Sequence, residues 1–188
     1  ITIAGQTAPG GICFDGHEIS FSSRQNIICR YIRIRPGSSA ASSELGFGMY
    51  QTSNCILDHV SIGFAPYDNI DAVGSSAVSV QNSINANPIG QQFGAHVESY
   101  QAWSWHYNIF ANSHNRNPLD KTYDTFINNL EYNNSAGFTT HTSGKYSHDI
   151  VNNYFVSGPA SGGNFPWYQM DNNQSVYQPG NLYDRNKN

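Results

Sequence analysis

An all-β parallel β-helix is the fold class this sequence predicts, on three observations. Segments of similar pattern recur at the spacing of one short coil, an Asn returns inside most of them, and no stretch keeps helical periodicity beyond about two turns. The segments are "IICRYIRI", "CILDHVSI", "VSVQNSIN", "WSWHYNIF", "TFINNLEY", "DIVNNYFV" and "YQPGNLYD". Laid under one another they share a column of Tyr31, His59, Asn82, Asn108, Asn129, Asn153 and Asn181, with intervals of 28, 23, 26, 21, 24 and 28 residues. One such coil cannot bury its apolar face alone, so like residues stack on like residues from coil to coil.

The elements follow in order. "ITIAG" opens as an alternating apolar strand, and the seven segments repeat that alternation. Ile32, Val60, Ile84, Ile109, Leu130, Tyr154 and Leu182 follow the column and extend the match to apolar positions. An Asn ladder is expected there: at a sharp bend Asn tolerates left-handed backbone, and its amide can bond the amides of the coils above and below. Residues 1–188 read as a single domain of about seven to eight coils. The start on "ITIAG" and the end on "NLYDRNKN" suggest a chain lacking N- and C-terminal parts. Exposed terminal coils would favour end-to-end self-association through open strand edges.

Composition narrows the function. Only 12% of residues are charged and 13% are aromatic, which suits a turn-rich β protein with polar stacks. The net charge of −4 argues against nucleic acid, which calls for a basic stripe. An acidic ligand would need a local basic site or a metal. No apolar run is long enough to span a membrane as a helix. Cys13, Cys29 and Cys55 are odd in number and lack metal spacing; a Cys29 to Cys55 bridge requires those strands to be neighbours, and burial as small apolar residues is the plainer reading. Asn133 and Asn173 begin sequons that would accept glycans in a secreted eukaryotic protein.

Three long insertions, residues 36–46, 87–100 and 157–175, read as loops that emerge on one face and build a groove. Trp167 and Tyr168 in the last would either stack on a sugar ring or pack the loop. Ionisable groups concentrate in two places. "ILDHVSIGFAPYDNIDAVG" holds Asp58, His59, Asp68 and Asp71, and Asp68 with Asp71 could bind a hard cation through oxygen, with Glu44 a third ligand one coil earlier. "WHYNIFANSHNRNPLDK" carries Arg116 and Lys121, and Arg116 falls two coils after Asp68. Arg116 reads as a surface cation, as a partner of Asp58 or Asp71, or as a substrate group beside a metal; scarce charge favours a used arginine. Nucleotide-binding, HExxH and GxSxG patterns are missing from the sequence.

These residues resemble the pectate lyase family, right-handed parallel β-helices that act on uronic acid polymers. "ITIAGQTAPGGICFDG", "NIICRYIRIRPG", "ILDHVSIGF", "WHYNIFANSHNRNP", "VNNYF" and "PGNLYD" look like successive coils of that family, in order and over nearly the whole chain. The resemblance implies a secreted, calcium-dependent lyase cleaving an acidic plant or microbial polysaccharide by β-elimination. It implies Arg116 as the group that takes the proton, with His114 the nearest alternative, and Asp68 and Asp71 as calcium ligands. Lys121 would hold substrate carboxylate where the family has a second arginine, and His96 stands in a substrate loop where a cation is usual. Tyr67 stands where the family has an acid, and Asp68 where it has a longer Glu. Residues 82–115 hold neither Lys nor Arg, and Gln91, Gln92 and His96 occupy that loop. Two other functions fit such a chain: a non-catalytic polysaccharide-binding or scaffold β-helix, and a β-helix hydrolase using Asp68 and Asp71.

Overall fold

A computed structural model describes residues 1–99, 101–141 and 144–186. Among them there is no helix; every paired strand is parallel, and the chain winds as a β-solenoid of three stacked sheets. One coil runs through Ser53–Asp58, Ser61–Gly63 and Asp68–Val73, one strand for each sheet. The next runs through Ser76–Gln81, Ile84–Ala86 and Phe93–Glu98, and the one after through Trp103–His106, Ile109–Ala111 and Leu119–Lys121. In register, Ser79 lies beside Ile56 and Ser104, so strands one coil apart in sequence are neighbours in space.

Side chains alternate across each strand, and the inward set fills the coil. Leu57, Val80, Trp105 and Phe126 succeed one another along the first sheet, all buried. Aromatic rings carry the core along the axis: Trp105 to Phe110 at 5.5 Å, Phe110 to Phe126 at 5.4 Å and Phe126 to Phe138 at 5.6 Å between centroids. Such edge and tilted contacts add about 0.5–1.5 kcal/mol each beyond burial.

The expected Asn column needs correcting in register at Tyr31, His59 and Asn82, and its amides take backbone partners as well as one another. The bend between the first and second sheets divides the work between two successive residues. Tyr31, His59, Asn82, Tyr107, Asn128 and Asn152 take the left-handed backbone, with φ between 50° and 57°. The residues after them form the hydrogen-bonded set: Val60 N donates to Ser83 Oγ, Ser83 N to Asn108 Oδ1, Asn108 N to Asn129 Oδ1, Asn129 N to Asn153 Oδ1 and Asn153 N to Asn181 Oδ1. Asn82 therefore stands one position before the set, and Ser83 takes its place. The Nδ2 atoms of Asn108, Asn129 and Asn153 donate to backbone carbonyls of Val80, Trp105 and Phe126 at 2.8–3.0 Å. Backbone is thus a main partner of each amide. The amides also link to one another in this column, where Asn129 Nδ2 donates to Asn153 Oδ1 at 3.1 Å and Asn153 Nδ2 to Asn181 Oδ1 at 3.0 Å. A second amide stack lies after the second sheet, where Asn133 donates to Asn112 and Asn112 to Asn87.

Two of the three expected loops hold strands. Phe93–Glu98 lies within 87–100, hidden because its inward residues, Ala95 and Val97, are small. Asn164–Tyr168 lies within 157–175 and carries Pro166; it ends the order of the third sheet, where a missing N–H is tolerated. Residue 100 lies outside the described residues. Trp167 packs on Phe155 at 5.0 Å and on Phe138 at 6.4 Å, so it joins the core. The Cys29 and Cys55 strands are neighbours, but Cys29 faces Leu57 and Cys55 faces Ile27. Both thiols are free and buried, and burial pushes each up to about 12.

The interior also holds a chain of buried polar groups. Trp105 Nε1 donates to Asp120 Oδ2 at 2.8 Å, Asp120 hydrogen-bonds Asp124, and Asp124 pairs with His148. Burial, then Asp124, holds the Asp120 carboxyl well above the usual range. The folded chain therefore keeps a proton that the unfolded chain releases, and its stability falls as pH rises from the ordinary aspartate range. Asp120→Asn should flatten part of that fall in denaturant midpoints measured from acid to mildly alkaline pH; an unchanged slope would contradict it.

The corrected column predicts unequal neighbours. Asn129→Ala strands Asn108 N and the Trp105 carbonyl and should cost about 2–4 kcal/mol in chemical denaturation. Asn128→Ala places alanine at φ 57° and should cost about 1 kcal/mol.

Candidate active site on the third sheet

Three strands of the third sheet place the site. Phe93 lies in register with Asp68, His96 with Asp71, and Glu98 with Lys121. Residues 96 and 98, two apart on one strand, share its outer face. Arg116 stands in the bend before Leu119–Lys121 with φ 62°, its N–H bonded to Asn115 Oδ1 at 2.7 Å. Its carbonyl accepts from Ala95 N at 2.7 Å. Gly94 makes that approach feasible, since a Cβ there would lie 2.4 Å from the Arg116 carbonyl oxygen and 2.6 Å from Asn117 Oδ1.

Asp68 Oδ2 accepts from Arg116 Nη1 at 2.6 Å, and the guanidinium lies 4.1 Å from the centre of the Phe93 ring and 5.6 Å from that of Tyr67. The expected partners of Arg116, Asp58 or Asp71, are replaced by Asp68. Asp58 is held instead by Arg30, His59 and Asn82. Next to this pair, Asp71 Oδ1 lies 3.0 Å from His96 Nδ1, His96 Nε2 lies 2.9 Å from Glu98 Oε1, and Lys121 Nζ donates to the same Glu98 oxygen.

Burial sets the charge states. Asp68 is fully buried, which pushes its carboxyl up to about 7, although Arg116 pulls the other way. Burial works against the His96 imidazolium, but Asp71 and Glu98 outweigh it and raise the ring above the ordinary histidine value. Burial also opposes the Glu98 carboxylate, yet Lys121 and His96 hold it below the usual range.

One ligand atom each from Asp68, Asp71 and His96 lie within 4.8 Å of one another. Asp68 Oδ1 has no hydrogen-bond partner among the described residues. An orphaned, buried carboxylate oxygen beside two further donors fits a divalent cation. Calcium suits the two carboxylates but takes oxygen ligands, and the third donor is an imidazole nitrogen. Glu44 is not brought to this cluster: its carboxylate accepts from Glu18 N at 3.2 Å and contacts His17 Nδ1 at 3.1 Å. His114 is exposed, two residues before Arg116, and its N–H donates to the Gln92 carbonyl. Sequence reasoning misses Glu98 and Phe93 as site residues. The His-x-Glu alternation of a strand would have flagged Glu98, had residues 87–100 not read as loop.

The third sheet of this parallel β-solenoid thus gathers carboxylates, a histidine and two paired cations on one outer face. No family model matches the chain. Among curated proteins, probable pectate lyase C of Aspergillus flavus is 33% identical over 193 residues, covering 100% of this chain and 46% of that protein. The proteins of the same name from Neosartorya fischeri and Aspergillus fumigatus are 35% identical over 167 residues, covering 86% of this chain and 40% of theirs. The chain is thus pectate lyase-like in sequence and in fold, and it spans less than half the length of these relatives.

Gly94→Ala should push the Arg116 backbone away and cost about 1–3 kcal/mol, read as a lowered denaturant midpoint. A wild-type midpoint would contradict the packing described.

Proposed function

We propose that the chain carries the catalytic face of a polysaccharide lyase that cleaves a pectate-like polyuronate by β-elimination. The observation that supports it most is the gathering of Asp68, Asp71 and His96 beside Arg116 on one sheet, in a chain 33–35% identical to proteins named probable pectate lyase C. Polyuronate is too large to enter a cell intact, so we place the protein outside the cell. Asp68 and Asp71 would hold a divalent cation, which the family resemblance gives as calcium and the His96 nitrogen argues against; when bound, it would neutralise the uronate carboxylate and stabilise the charge that develops as the C5 proton leaves.

The residues around it have separable tasks. Arg116 is the group we assign to the C5 proton. Arg116 could take that proton only as neutral guanidine, after giving one of its own to solvent; the Asp68 pair favours the charged form, and commitment of Asp68 to a cation would remove that support as substrate arrives. The faces of Phe93 and Tyr67 hold the guanidinium in place. Lys121 would turn from Glu98 to the carboxylate of a neighbouring sugar, and His96 and His114 would line the same path.

A second reading has its own observation. Arg116 and Lys121 are both already paired with carboxylates, an arrangement that would serve binding without chemistry. Ultraviolet absorbance during incubation with polygalacturonate separates the two. The lyase reading expects unsaturated product, loss of its formation with excess chelator, and a fall of about 10²–10⁴-fold for Arg116→Ala. Polymer binding that survives chelation and Arg116→Ala, with no unsaturated product, would favour the binding module.

A further inference from the structure

We propose that Asp68, Asp71 and His96 form a mixed carboxylate and imidazole site that selects a first-row divalent cation of the manganese to zinc series over calcium. The proposal names the cation of the site described above. It rests on the lyase reading for its catalytic meaning, while the binding itself is independent of that reading.

The donor set carries the argument. Calcium gathers six to eight oxygens, and carboxylates supply most of its charge neutralisation. Here the cluster offers two carboxylates, and one of them, Asp68, already shares an oxygen with Arg116. Its other oxygen, Oδ1, is left without a partner in a residue that is 0% exposed. The third donor is nitrogen, and imidazole suits zinc, copper, iron and nickel far better than calcium.

The surroundings of His96 match this. A ligating histidine generally gives its other ring nitrogen to a carboxylate, which fixes the tautomer and aims the lone pair. His96 Nε2 lies 2.9 Å from Glu98 Oε1, and Lys121 anchors that same oxygen. With Nε2 committed to Glu98, Nδ1 is the nitrogen turned to the carboxylates, 3.0 Å from Asp71 Oδ1, and a cation would replace that contact and the ring proton it favours. Lys121 and Glu98 thus become positioning residues for a metal ligand. Strand register enforces the set, since His96 lies beside Asp71 and Glu98 beside Lys121 in adjacent coils.

The test is direct binding. Metal-stripped protein, wild type and His96→Gln, is titrated calorimetrically with manganese, zinc and calcium chlorides, and cobalt(II) chloride is followed by visible absorption. The expected result is one site per chain that holds zinc or manganese at least tenfold more tightly than calcium. His96→Gln should remove that preference while leaving calcium affinity within a few-fold, and cobalt should lose its nitrogen-shifted band. Glu98→Gln should weaken zinc binding about 10–100-fold. Equal or tighter calcium binding, or zinc binding unchanged by His96→Gln, would overturn the proposal. Circular dichroism of both variants separates lost ligation from lost fold. Polygalacturonate cleavage with calcium alone would overturn the cation assignment and leave the lyase standing. Zinc or manganese bound through His96 without cleavage under any cation would support the site and remove the lyase reading.

Discussion

The structure depends on the parallel backbone ladder that joins each coil to the next. A parallel strand cannot pair with its immediate successor through a tight turn, so the chain must travel once around before it meets itself. That excursion costs chain entropy and is repaid only when inward residues of successive coils meet. Leu57, Val80, Trp105 and Phe126 meet in this way, and the bend residues keep them in step. Asn129 shows how: its Oδ1 accepts from Asn108 N and its Nδ2 donates to the Trp105 carbonyl, so one side chain satisfies two backbone groups of the preceding coil. A slip of register would leave those groups bare in the interior, where each costs about 1–3 kcal/mol.

The same ladder makes the site. Asp68, His96 and Lys121 come from three coils, far apart in sequence, and are gathered because Asp71 pairs with His96 and Glu98 with Lys121. Charge in this chain is scarce, and the third sheet uses it in contiguous pairs: Arg116 with Asp68, His96 between Asp71 and Glu98, Lys121 on Glu98. Each cation is held by a carboxylate and each carboxylate is partly withdrawn from water. A site so arranged is close to neutral when empty and becomes cationic on taking a metal, which is the state that would attract a polyuronate.

The coil period and the parallel class were legible in the sequence because stacking imposes repetition, and scarce charge pointed to a paired Arg116 but not to Asp68 as its partner. The register of the Asn column was legible only from Asn108 onward, and Tyr31, His59 and Asn82 stand one position before the set. Asn128 and Asn129, and Asn152 and Asn153, are paired asparagines that take the two tasks in turn, left-handed backbone first and hydrogen bonding second. Asn82 and Ser83 show the difference only once the backbone is placed. The strand Phe93–Glu98 was illegible for another reason: its buried inward residues are Ala95 and Val97, too small to signal a core strand. With that strand unread, Glu98 had no face to belong to, and His96 read as a loop residue. Glu44 looked like a third acid one coil away, but loop 36–46 turns its carboxylate toward His17 and Glu18.

The central claim is that the outer face of the third sheet, at Asp68, Asp71, His96 and Arg116, is where a polyuronate is bound and cut. A crystal structure of Arg116→Ala soaked with a short oligogalacturonate tests it most directly. The account predicts sugar density across the third sheet, with one uronate carboxylate facing the Asp68, Asp71 and His96 donors and another within reach of Lys121. Sugar bound on the first or second sheet, with the third left bare, would contradict it.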